Sequence, residues 1–96
     1  MKIVVLNVVD GGELDHQESF PLHDANQWLA AIQRQVTARG GKPLNGVLRK
    51  VKSEIEEATP RIPGKQNGTA VEVASFRDIK ITARVHYLRE PALAAV

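Results

Sequence analysis

From Lys2 to Val9 the chain is almost continuously aliphatic, with Ile3, Val5 and Val9 on one side of an extended strand and Val4, Leu6 and Val8 on the other. A strand that is apolar on both sides belongs in the middle of a sheet. Asp10-Gly11-Gly12-Glu13 supplies the turn that follows, because two glycines accept positive φ without a Cβ penalty. A more polar strand runs from Leu14 to Phe20. Its charged positions and Pro21 suit a sheet edge, where a missing amide donor costs least.

The period then changes from two to three and four. Ala25, Trp28, Leu29, Ile32 and Val36 stack on one face of a helix that Asp24 and Gln27 can open as a capping box and Gly40 can close. His23, just ahead of the cap, is placed beside Trp28 as a staple-like contact. A second helix is expected to start near Pro43 and stop before Pro60, burying Leu44, Val47, Leu48, Val51, Ile55 and Ala58. The Gly-Gly between the two makes them a helical hairpin. Residues 60–69, with two prolines and two glycines, read as an exposed loop.

The last quarter returns to strands. One spans Ala70 to Phe76, and a second spans Ile79 to Leu88, with Ile79, Ile81, Ala83, Val85 and Tyr87 on one face and Lys80, Thr82, Arg84 and His86 on the other. Arg77-Asp78 between them is a poor match for the tight hairpin turns, which leaves the register open. The expected fold is α+β: a single domain over residues 1–90 in ββααββ order, with two helices on one face of a four-stranded, mostly antiparallel sheet. Residues 91–96 read as a loosely held tail. The outward side of the first strand needs its own cover. A second copy of the chain is the simplest one, giving a homodimer; the long loop and the tail are the alternative.

Composition narrows the functional classes. The 96 residues hold 43% hydrophobic and 25% charged side chains and no cysteine, which removes thiolate metal sites, disulfides and thiol nucleophiles from consideration. No apolar run approaches the roughly 18 residues that a transmembrane helix needs, and no cleavable signal is visible. A cytoplasmic protein is the expectation. The net charge of +2 conceals a segregation, since residues 1–30 sum to −4, residues 31–52 to +6, residues 53–57 to −3 and the remainder to +3. Such blocks either pair across the fold or leave strongly signed faces for a partner.

The basic block supplies the partner- or phosphate-binding candidates Arg34, Arg39, Lys42, Arg49, Lys50 and Lys52. Lys80, Arg84 and His86 on the final strand join them. In the second helix the bases precede the acids, against the macrodipole, although Lys50 with Glu54 and Lys52 with Glu56 can still pair. His16 and His23 lack the spacing of a metal pair, and Gly64-Lys65 lacks the remainder of a phosphate loop, so neither a metal nor a cofactor is expected. No catalytic set is visible. With Trp28 and Tyr87 assigned to the core, no stacking platform for single-stranded RNA remains.

Met1 to Ile32, a strand, a glycine turn, a second strand and a capped helix, resembles the first half of a ubiquitin-like β-grasp. The second helix has no place in that pattern and there is no terminal Gly-Gly, so no residue role is carried over. The functional expectation is a small non-enzymatic binding or regulatory protein that contacts another protein. Nucleic-acid binding through the basic helical centre and final strand is the alternative, and a small ribonuclease-like enzyme using His86 comes third.

Overall fold

β1 (Lys2–Asp10) lies in the interior of the sheet, where its two-sided apolar pattern puts it. A computed structural model describes residues 1–62 and 68–88. The elements are β1, β2 (Glu13–Pro21), α1 (Ala25–Ala38), α2 (Leu48–Glu57), β3 (Val71–Phe76) and β4 (Ile79–Tyr87). All strands pair antiparallel in the order β2-β1-β4-β3. The fold is α+β, in the expected ββααββ order, with both helices on one face. Among the described residues no helix is long and apolar enough to cross a membrane.

Side-chain alternation builds the core. Val4, Leu6 and Val8 of β1 and Ile81, Ala83 and Val85 of β4 point to the helical side and are buried there. Against them pack Trp28, Ala31, Ile32 and Val36 of α1 and Val51 and Ile55 of α2. The register is set at both hairpins by two-residue loops. Gly11 and Gly12 both take positive φ, and Asp10 pairs with Glu13. At the second loop Arg77 itself adopts φ 55, which costs a non-glycine residue about 1–2 kcal/mol. Phe76 therefore pairs directly with Ile79, and the Asp78 carbonyl accepts a hydrogen bond from the Gly11 amide, joining the two hairpin tips.

α1 is closed at both ends by side-chain and backbone chemistry. Asp24 Oδ1 accepts the Gln27 amide at 3.3 Å, half of a capping box, while the Asp24 amide donates to the Pro21 carbonyl. At the far end Gly40, at φ 85, completes a Schellman motif: its amide donates to Thr37 O and that of Gly41 to Val36 O. Because the Asp24 bond is long, Asp24→Ala will cost about 0.5–1 kcal/mol. Thermal denaturation followed by circular dichroism should show a fall in Tm of about 2–8 °C.

Three local expectations are corrected. α2 begins at Leu48 rather than near Pro43, because Asn45-Gly46 forms a turn closed by the Val47 amide on Leu44 O. Gln33 of α1 fixes that turn, accepting from the Leu44 amide at 2.9 Å and donating to Asn45 Oδ1 at 2.8 Å. Val47 is consequently exposed rather than buried. His23 is exposed as well; Leu22 packs against the core in its place, and its carbonyl accepts the Trp28 indole N–H at 3.1 Å. Within residues 60–69, Arg61, Ile62 and Thr69 are exposed but Pro60 and Gly68 are buried, so the ends of this segment belong to the core. Residues 63–67 of the loop and the tail assigned to 91–96 lie outside the described residues.

Candidate functional site

The basic block is largely engaged by the acids of the first third, because chain order places α1 over β2. Arg34 Nη2 meets Glu18 Oε2 at 3.2 Å, and Glu18 also holds His16 Nε2 at 2.7 Å. Arg39 is the more enclosed of the two arginines. Its Nη2 lies 2.6 Å from Asp15 Oδ2, its Nη1 3.9 Å from Asp10, and its Nε donates to Gln35 Oε1 at 3.3 Å. On α2, Lys50 reaches Glu54 at 3.9 Å and Lys52 reaches Glu56 at 3.2 Å. Arg49 and Lys42 are exposed. Arg34 and Arg39 turn toward β2, while Arg49, Lys50 and Lys52 ride on α2, which packs over β3 and β4. The sequence-proximal bases are thus divided between two flanks of the helical layer.

Lys80, Arg84 and His86 come together differently. They lie along the helix-free face of β4, with Thr82 among them. Directly opposite on β1 stand Val9, Val5, Ile3 and Asn7, in that order for Lys80, Arg84, His86 and Thr82. Beyond β1, the β2 side chains on this face include Ser19 and Gln17, and Gln17 donates to Asn7 Oδ1 at 2.7 Å. The face therefore carries a half-buried aliphatic row on its central strand. Cations flank that row on one side and neutral hydrogen-bonding groups on the other. Lys80 and Arg84 have no ion-pair partner among the described residues.

All four aromatic rings sit on the helical side. Phe20 and Trp28 are buried, Phe76 packs near Gly41, and Tyr87 lies under the Lys2 ammonium at 5.0 Å. Among the described residues the open face consequently offers no Phe, Tyr or Trp ring on which a base could stack, and His86 is its one imidazole. Among the described residues no group of three His, Asp or Glu side chains converges in a way that would hold a metal ion.

Sequence reasoning passed over the Asn7–Gln17 bridge. Its signal was Asn7 alone interrupting the aliphatic run of β1. It also passed over a groove between the end of α1 and β3, where Lys42 and Arg77 stand over apolar walls. That groove depends on a turn residue, Arg77, whose reach no periodicity encodes. No protein-family model, no curated protein and no solved structure matches this chain.

Proposed function

We propose that this chain is a non-enzymatic binding protein that acts through protein–protein contacts and pairs with a second copy of itself across the helix-free face of its sheet. One observation carries the reading: the central strand presents Ile3, Val5 and Val9 on a face that neither helix covers. A two-fold axis running along β1 would lay this aliphatic row on its own copy. The same operation sets Arg84 of one copy over Ser19 of the other, Thr82 over Gln17 and Lys80 over the exposed Leu14, so the cations of one copy do not face those of the other.

The size of the face predicts how tight such a dimer is. Three nine-residue strands and the six-residue β3, at about 3.3 Å per residue and about 4.8 Å apart, give a patch on the order of 500 Å2 per partner. Stable complexes bury about 800 Å2 per partner. The dimer should therefore be concentration-dependent, and light scattering at millimolar concentration should report twice the 10.5 kDa chain mass, falling toward 10.5 kDa on dilution. Val5→Glu will leave a folded monomer at every concentration, since the new carboxylate lies opposite Arg84 within its own sheet. A wild-type chain that stays monomeric throughout overturns the reading. So does salt-sensitive binding of random duplex lost in Arg84→Ala, which would assign this face to nucleic acid.

A further inference from the structure

β3 is an edge strand. It pairs with β4 on one side only, and among the described residues its outward backbone groups make no hydrogen bond. An exposed row of amide and carbonyl groups is a template for another extended chain, and soluble proteins ordinarily guard it. The opposite edge, β2, is guarded by charge: Glu13, Asp15 and Glu18 stand along it. β3 carries only Glu72, on the helix-free face opposite Thr82, and a bulge between Glu72 and Ala74; from Ala74 to Phe76 the strand is regular and uncharged.

Beside that stretch lies a groove of about 410 Å3, within the range of small-ligand and peptide side-chain pockets, about 300–1,000 Å3. Its walls are Val36, Leu44, Ala74 and Phe76. Gly41 makes the floor possible. A Cβ there would stand 2.8 Å from the Phe76 ring and 2.9 Å from Val36 Cγ1, so the missing side chain is what lets β3 close against the end of α1. The charged residues lining the groove are Lys42 and Arg77, both exposed and neither in an ion pair among the described residues. No acid lines it.

We infer that the β3 edge and this groove together receive an extended segment of a partner protein that carries aliphatic side chains interspersed with carboxylates. Backbone pairing to residues 74–76 supplies the register, an aliphatic residue fills the groove, and acidic residues meet Lys42 and Arg77. The site goes beyond self-association, because it lies at the sheet edge and leaves the helix-free face untouched.

Fluorescence anisotropy of the full chain with a labelled ten-residue peptide alternating valine and glutamate tests it. Saturable binding is expected, at least tenfold weaker for the valine–lysine peptide and for the valine–glutamate peptide N-methylated throughout. Lys42→Glu should weaken it tenfold or more, and Arg77→Gly several-fold; glycine accepts the φ of 55 at that position, so the turn survives. Val5→Glu should leave peptide affinity unchanged, which separates this site from the dimer face. No binding, equal affinity for all three peptides, or indifference to Lys42→Glu overturns the assignment. Binding lost only in Val5→Glu also overturns it, by moving the peptide to the other face.

Discussion

Gly68→Ala will destabilise the fold by about 3–5 kcal/mol, the combined scale of overpacking a filled site and unpairing a buried amide. Gly68 is buried where the chain returns from the end of α2 to the sheet, and its amide donates to Val85 O at 2.9 Å. A Cβ built there collides with the Ala58 carbonyl oxygen and stands 2.8 Å from the Val85 carbonyl oxygen and 3.3 Å from Pro60 Cδ. Two of these three neighbours are backbone atoms of α2's C-cap and of the central strand β4, so neither can rotate aside as a flexible side chain would. Gly46→Ala is the matched control. Nothing lies within 4 Å of its added methyl, and it should change stability by less than about 0.5 kcal/mol. Urea denaturation of both variants decides the matter; a loss below about 1 kcal/mol for Gly68→Ala would mean that the segment is not clamped at this point.

That clamp marks a boundary between what the chain displays and what only packing creates. Asp24, Gly40 and the 3–4 spacing of Trp28, Ile32 and Val36 announce α1 because each acts through its own local backbone. The alternation in β4 is equally local and puts Ile81, Ala83 and Val85 on the core side, whereas β1 is apolar on both sides and its alternation does not choose which side the helices take. Asn45-Gly46 is as plain a turn signal as these, but it competes with Pro43 and the apolar spacing from Leu44, and Gln33 settles the competition from another element. Gly68 looked like loop punctuation. Its role depends on Ala58 and Val85, seventeen residues apart from it on the far side and ten on the near side, and no window along the chain joins them.

The candidate site shows the same division. Segregation of charge into an acidic first third and a basic centre was visible by counting, and the fold pairs part of it while leaving part exposed. Arg34 and Arg39 spend their charge on Glu18, Asp15 and Asp10, because β2 and α1 are neighbours in the fold. Lys80 and Arg84 keep theirs on the open face, and Lys42 and Arg77 keep theirs at the groove. The strand parity of β4 was enough to group Lys80, Arg84 and His86. Grouping Lys42 with Arg77, 35 positions apart, needed the end of α1 to meet the end of β3.

Trp28→Ala should cost about 3–5 kcal/mol, as expected for truncating a large buried aromatic. Trp28 is fully buried, heads the fully buried side chains by volume, and belongs to the same core cluster as Ile32, Val4 and Leu6. Total stability for a domain of this size is about 5–14 kcal/mol, so the variant sits close to the unfolding threshold. A more discriminating test keeps most of the aromatic volume while removing the polar handle. Trp28→Phe leaves most of the packing but deprives Leu22 O of the indole N–H that reaches it at 3.1 Å, with an expected loss of about 1–3 kcal/mol. Because Trp28 is the single tryptophan, its emission reports unfolding of the wild-type chain, whereas both variants must be followed by circular dichroism in urea. If Phe costs as much as Ala, the hydrogen bond that ties the end of β2 to α1 dominates at this position; if Phe is silent, burial alone holds the helix to the sheet and the Leu22 contact is incidental.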